Sequence, residues 1–146
     1  MTILAIDRIQ LQASALDKVD AIRQSGELLV RSGCVEAGYV EGMLAREETM
    51  STYLGNGVSI PHGQYDNRSQ IIKTGISVLQ LPEGVEWEDG EKAYLIIAIA
   101  AAADEHVGVL ANLAEAIEDE EIAKQMITTR DPALIMNTLE KESEVQ

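Results

Sequence analysis

The first half of the chain alternates between extended and helical periodicity. Residues 3–11 place apolar side chains at roughly every second position, which predicts a first strand. Asp17 stands where it can cap a helix whose apolar stripe stops at Gly33, and a second helix is predicted over residues 36–49. After the glycine-rich break at 55–57, residues 58–60 read as a short strand that ends at a proline.

The second half begins with two strands and continues with helices. Residues 75–81 alternate as a strand, and residues 82–84 (PEG) predict a turn after it. Residues 93–101 are apolar on both faces apart from the hydroxyl of Tyr94, which is typical of a strand covered on both sides. Asp104 is expected to cap the helix that follows.

Two further helices complete the pattern. They are predicted over residues 120–127 and 132–139, the second opened by Asp131-Pro132, and a polar tail that frays is predicted from about residue 140. Because helices and strands interleave around one buried strand, the sequence predicts a three-layer α/β/α sandwich with a mixed, mostly parallel central sheet. No linker or repeat divides it, so residues 1–146 are expected to form one domain.

The net charge of the chain limits which classes of binding partner are expected. The chain has 25 acidic against 11 basic residues, a formal net charge of −14, with hydrophobic residues at 46%. That hydrophobic content is too high for a disordered acidic chain. Twelve of the acids lie within residues 83–121, where Lys92 is the one base. A field this negative repels phosphate backbones and anionic lipid, so neither nucleic acid nor a membrane is an expected partner.

The number of cysteines and the length of the longest apolar run indicate the cellular compartment. Cys34 is the single cysteine, which excludes an internal disulfide and a thiolate metal cluster. The longest apolar run, residues 93–103, is well short of the roughly 20 residues that span a membrane. The start of the sequence lacks the basic and small-residue features of a secretory signal. A cytoplasmic protein is expected.

Two histidines are the candidates for chemistry. His62 follows the strand at 58–60 between Pro61 and Gly63, in a constrained loop that can present one ring nitrogen as a neutral nucleophile. His106 lies in the first turn of the helix after the buried strand, where backbone N–H groups attract anions. If both loops lie at the same sheet edge, the two imidazoles could meet across a crevice.

The sequence lacks the motifs typical of zinc binding, serine hydrolysis and nucleotide binding. Two isolated histidines make a weak case for zinc, a nucleophile elbow is missing, and neither glycine-rich nucleotide motif is present, so no metal or cofactor is expected. The acid pair Glu47-Glu48 is expected to be solvated helix surface. Cys34 is expected to be packed or half-exposed.

Four segments carry a resemblance to a known family. They are residues 44–48 (LAREE), 52–63 (TYLGNGVSIPHG), 73–76 (KTGI) and 104–114 (DEHVGVLANLA). With these segments the chain resembles the mannitol/fructose-type enzyme IIA of the bacterial phosphotransferase sugar-uptake system, from about Asp7 to Leu139.

The resemblance implies a phosphoryl relay without a cofactor. A phosphocarrier protein, phospho-HPr, donates the group to His62, which hands it to enzyme IIB of a membrane IIBC permease for sugar uptake. His106 matches the second histidine that holds the phosphoryl group, and Arg46 matches the arginine that neutralises its charge. Asn56 and Gly63 are expected to support the phosphoryl loop. Mannitol-type relatives can carry Glu at the position of Asn56, so the sequence departs from the family there.

Three functions stay open at this point. The leading one is a stand-alone phosphocarrier for sugar uptake, with mannitol as the expected sugar. The second is a fructose-branch or nitrogen-branch regulatory enzyme IIA, whose phosphorylation state controls a protein target. The third is a binding domain that has lost the relay, against which the joint presence of His62, His106 and Arg46 argues.

Overall fold

The computed structural model describes residues 4–88, 90–101 and 103–144, and it contains one sheet with helices on both faces. The strands are β1 (Ile9–Gln10), β2 (Tyr53–Gly55), β3 (Val58–Ser59), β4 (Gly75–Glu88) and β5 (Glu91–Ala100). The helices are α1 (Lys18–Arg31), α2 (Tyr39–Thr49), α3 (Ala103–Glu118), α4 (Glu120–Thr128) and α5 (Pro132–Glu144). Short 3₁₀ turns cover Ile6–Arg8 and Tyr65–Gln70.

The sheet is mixed, with the order β1-β4-β5-β3-β2. β1 and β3 run parallel to β4 and β5 respectively, whereas the β4–β5 and β2–β3 pairs are antiparallel. The α/β class and the mixed sheet are therefore confirmed, but the expectation of a mostly parallel sheet is wrong. Its long central pair, β4–β5, is a hairpin, which requires no helix between its strands.

That hairpin also explains why the turn predicted at 82–84 is wrong. Pro82 and Gly84 lie inside β4, and the register of the β4–β5 pair shifts between Gln80 and Val85. Gly84 has a φ of 69°, and such an irregularity accepts both a proline without an N–H and a left-handed glycine. The chain reverses later, between Glu88 and Glu91.

The apolar core consists of two layers separated by the sheet. β5 supplies both, because alternate residues point to opposite faces. One layer packs against α3, α4 and α5, and the other packs against α1 and α2. The first contains Leu95, Ile97 and Ile99, and the second contains Ile96, Ala98 and Ala100. The three-layer arrangement and the doubly covered strand are thus confirmed.

Helix ends agree with the sequence in part. Asp17 caps α1 by accepting from the N–H of Asp20, and Asp131 accepts from the N–H of Ala133 at the start of α5. Asp104 is already inside α3, so it is not the cap. The last helix continues past the predicted end at Leu139 to Glu144.

Two strands differ from the prediction. The first strand was predicted over residues 3–11, but it covers only Ile9–Gln10 and follows a 3₁₀ turn, and β2 was not predicted. Within the described ranges, none of the helices has the length and apolar character needed to cross a membrane.

Candidate functional site

His62 lies where the β3 segment ends beside β5. It forms a parallel bridge with Ile99, the residue before the last one of β5, and the N–H of Ile99 donates to the carbonyl of Pro61 at 2.9 Å. Helix α3 begins at Ala103, directly after β5. His62 and the start of α3 therefore share the edge formed by the carboxyl ends of two parallel strands, where open α/β sheets place ligands.

The ring of His62 is oriented by its own strand. Nδ1 lies 2.9 Å from the carbonyl oxygen of Ile60, and the side chain is only 7% exposed. A carbonyl oxygen can only accept, so Nδ1 carries a proton, and in the neutral ring the lone pair is then on Nε2. This arrangement makes Nε2 the nucleophilic atom of the neutral ring.

Gly63 and Tyr39 fix the backbone on the other side of His62. The N–H of Gly63 donates to the hydroxyl of Tyr39 at 2.9 Å, and that hydroxyl donates to the carbonyl of Ile99 at 2.8 Å. A Cβ at Gly63 would lie 2.6 Å from Cε1 of Tyr39. The glycine is thus required by its close approach to Tyr39, and its support of a phosphoryl loop stays a prediction.

Tyr39 also makes the site sensitive to alkaline pH. Burial raises the pKa of the Tyr39 phenol, and the hydrogen bond from Gly63 opposes this effect only in part. Because the folded pKa lies above the unfolded value of about 10, the contribution of the phenol is complete below that pH. It is lost as the pH rises through the folded pKa.

The variant Tyr39→Phe is therefore expected to be less stable by about 1–3 kcal/mol at neutral pH, because the N–H of Gly63 and the carbonyl of Ile99 lose a partner. Its unfolding free energy should also fall less steeply than that of the wild type as the pH rises above about 10. Urea unfolding at several pH values measures both effects. Parallel pH curves for the two proteins would contradict this role.

Arg46 lies in the last turn of α2. Its Nη1 donates to the carbonyl of Met50 at 2.7 Å, and the side chain is half-buried. Within the described residues this contact ties the guanidinium to the end of its own helix, and no hydrogen bond joins it to His62.

His106 lies near the start of α3, so its backbone belongs to the same edge as His62. Its side chain lies outside the described residues.

The structure places Asn56 away from His62. Asn56 has a φ of 52° in the turn between β2 and β3, and its Nδ2 donates to the carbonyl of Ile117 at 2.7 Å, at the C-terminal end of α3. Val58 and His62 pair with residues four apart on β5, which corresponds to about 13 Å of strand. This placement does not support the expected role of Asn56 in the phosphoryl loop.

Replacing Asn56 with alanine is accordingly expected to lower the unfolding free energy by about 1–3 kcal/mol, since it loses the bond to Ile117 and puts a Cβ-bearing residue without a polar side chain at positive φ. The variant Asn56→Gly keeps the backbone conformation and isolates the hydrogen bond, so its loss should be smaller. Thermal and urea unfolding measure both. Equal losses for the two variants would contradict a backbone contribution.

Glu47 was expected to be solvated, and that expectation is wrong. It is 6% exposed, and its carboxylate accepts from the N–H and hydroxyl of Thr52 and from Nε1 of Trp87, with Nζ of Lys18 at 3.4 Å. Glu48 is exposed as expected. The signal was available in the sequence, because Glu47 is four residues beyond the buried Met43 on the same helical face.

Metal chemistry has no counterpart in the described part of the chain, where no three His, Cys, Asp or Glu side chains converge as ligands. Cys34 is buried in the layer of core beneath α1 and α2. What the edge offers is a buried imidazole with a defined proton, next to a helix start. Such an arrangement defines a histidine-centred group-transfer domain.

The chain belongs to the phosphoenolpyruvate-dependent sugar phosphotransferase system EIIA 2 family, which matches residues 2–142. Among its relatives, a multiphosphoryl transfer protein of Escherichia coli O157:H7 is 48% identical over 97% of this chain. The chain spans only 38% of the length of that protein. The mannitol-specific phosphotransferase enzyme IIA component of Bacillus subtilis is 37% identical over 89% of this chain and 91% of its own length.

Solved structures show the same fold. Enzyme IIA mannitol in its complex with phosphorylated enzyme IIB mannitol from Escherichia coli has a TM-score of 0.88, with 36% identity over 94% of this chain and 96% of that one. The nitrogen regulatory protein IIA-Ntr from Neisseria meningitidis has a TM-score of 0.82 and 27% identity, over 94% of this chain and 96% of that one. The fold is therefore shared by transport and regulatory members.

Proposed function

We propose that this protein is a histidine phosphocarrier, which accepts a phosphoryl group from phospho-HPr on Nε2 of His62 and passes it to enzyme IIB. The observation that carries the proposal is the contact between Nδ1 and the Ile60 carbonyl, because it leaves the lone pair on Nε2. Family membership supplies the reaction class. The proposed location is the cytoplasm.

The transfer is an exchange of one phosphorus–nitrogen bond for another. Nε2 of His62 attacks phosphorus in line, the donor's phosphohistidine nitrogen leaves with its electron pair, and no proton has to be removed from His62. Nδ1 keeps its proton and continues to donate to Ile60, which stabilises the positive charge that develops on the ring. Delivery to enzyme IIB is a second in-line exchange, in which a nucleophile of enzyme IIB attacks phosphorus and Nε2 of His62 leaves with the electron pair.

Charge on the bound phosphoryl group needs cationic or N–H partners. The start of α3 shares the edge with His62, and a helix N-terminus favours anions. We assign His106 and Arg46 to this role on the family resemblance. Arg46 would exchange its contact with the Met50 carbonyl for the phosphoryl oxygens.

Mannitol is the sugar we propose for the downstream permease. It is supported by similarity along almost the full length of two proteins named for mannitol, at 37% and 36% identity. The multiphosphoryl transfer proteins are more similar, but this chain spans a minor part of each. The nitrogen regulatory protein is less similar, at 27% identity.

The test is a two-step transfer assay. The protein is incubated with phosphoenolpyruvate, enzyme I and HPr, and intact mass is expected to increase by one acid-labile phosphoryl group. The isolated phosphoprotein is then mixed with enzyme IIB for mannitol or enzyme IIB for fructose, and loss of the group is followed. Faster loss to the mannitol acceptor supports the proposal, whereas loss to neither acceptor would favour a regulatory role.

A further inference from the structure

We propose that Glu47 is a positioning residue for the phosphoryl acceptor, acting through Thr52 and Ile60 to hold the ring of His62 in its reactive tautomer. This inference rests on the proposed function of His62. It assigns a role to a buried carboxylate that the transfer chemistry does not use.

A continuous set of hydrogen bonds joins Glu47 to His62. The N–H of Thr52 donates to Oε2 of Glu47 at 2.9 Å, and the Thr52 hydroxyl donates to Oε1. The carbonyl of Thr52 in turn accepts from the N–H of Ile60 at 3.0 Å. The carbonyl of Ile60 then accepts from Nδ1 of His62 at 2.9 Å. Each residue on this route is therefore held by the one before it.

The Glu47 end of the route is anchored to rigid elements. Nε1 of Trp87, from β4, donates to Oε2 at 3.0 Å, and Nζ of Lys18, at the start of α1, lies 3.4 Å from the same oxygen. The Lys18 ammonium also lies 5.5 Å from the centre of the Trp87 ring. Both partners belong to regular elements, so they hold the Glu47 carboxylate in place. The carboxylate in turn fixes the position of Thr52 relative to α1 and β4.

The groups around Glu47 act as donors, and an ionised carboxylate accepts without donating. An amide could keep most of these bonds, because its oxygen can accept from the Thr52 N–H and from Nε1 of Trp87 while the Thr52 hydroxyl turns to accept from its NH₂ group. Removal of the side chain, in contrast, leaves the N–H of Thr52 and Nε1 of Trp87 without their acceptor.

Loss of the Glu47 contacts is expected to change the protonation of the His62 ring nitrogens. The loop between α2 and β2 is held at Met50 by Arg46 and at Thr52 by Glu47, and its displacement shifts the Ile60 carbonyl that fixes Nδ1. Without that acceptor, the proton can move to Nε2, and the nucleophile is lost in that fraction of molecules. Misplacement by about 1 Å costs on the order of 100-fold in rate.

The test compares Glu47→Ala with Glu48→Ala, which removes the same side chain from the exposed neighbouring residue of the same helix. Nitrogen-15 NMR of the unphosphorylated proteins reports which ring nitrogen of His62 is protonated. The wild type and Glu48→Ala are expected to show Nδ1–H, whereas Glu47→Ala gains a population with Nε2–H. The rate of phosphorylation at saturating phospho-HPr is expected to fall roughly 10- to 100-fold in Glu47→Ala.

A folded Glu47→Ala protein with the wild-type tautomer and rate would overturn the inference. If that variant does not fold, Thr52→Val removes one donor and keeps the backbone bonds. We then expect a smaller change in the same direction, and an unchanged tautomer and rate overturn the inference in that case. Because the tautomer is measured without phosphorylation, a wild type that accepts no phosphoryl group rejects the proposed function separately.

Discussion

Replacing His62 with alanine is expected to abolish phosphoryl acceptance, leaving no mass increase after incubation with phosphoenolpyruvate, enzyme I and HPr. The reason is that the imidazole is the group that forms the bond to phosphorus, so no other part of the site can replace it. Its Nε2 carries the lone pair because Nδ1 donates to Ile60. The folded state should survive, because the residue lies at the end of a strand rather than within either core layer.

The matched comparison is His106→Ala, which keeps His62 intact. This variant is expected to accept the group at a reduced rate and to reach the same final mass, because in the proposed relay the His106 imidazole stabilises charge and does not form the bond to phosphorus. Circular dichroism of both variants controls for folding. An acid-labile phosphoryl group on His62→Ala, or its complete absence from His106→Ala, would reverse the roles of the two histidines.

Local patterns predicted the parts of the fold that depend on local physics. Asp17 and Asp131 cap their helices because a short acidic side chain at that position satisfies exposed N–H groups. The doubly buried strand β5 follows equally from its own residues. The β4–β5 hairpin could not be predicted in this way, because Pro82 and Gly84 carry the usual signal of a turn. Only pairing with β5 makes them an irregularity within a strand.

The residues of the site also divide into those predictable from local sequence and those that depend on residues distant in sequence. His62 was identifiable from its flanking proline and glycine, and the structure gives its ring a defined proton. Asn56 was misjudged because sequence proximity to His62 hides the length of the extended strand between them. The position of Glu47 on the helical face of Met43 indicated its burial, but two of its partners, Trp87 and Lys18, are distant in sequence. The helical pattern could therefore predict a buried position but not the partners that accommodate a carboxylate there.

Replacing Gly63 with alanine is expected to damage both stability and phosphoryl acceptance. The new Cβ would lie 2.6 Å from Cε1 and 2.8 Å from Cζ of Tyr39, closer than carbon atoms can approach. The ring cannot simply retreat, because Tyr39 is 2% exposed and its hydroxyl is bound to the carbonyl of Ile99. The backbone beside His62 must therefore shift. We expect a loss of about 1–3 kcal/mol in unfolding free energy.

The same displacement should slow phosphorylation of His62 by roughly 10- to 100-fold at saturating phospho-HPr. Gly108→Ala is the stability control, since a Cβ there meets nothing within 4 Å and alanine favours the helix. If the Tyr39 ring causes the damage, Gly63→Ala should cost less, by about 1 kcal/mol, in a Tyr39→Leu background. Equal costs in the two backgrounds would mean that the glycine serves backbone freedom instead of the close approach that sets His62 beside Ile99.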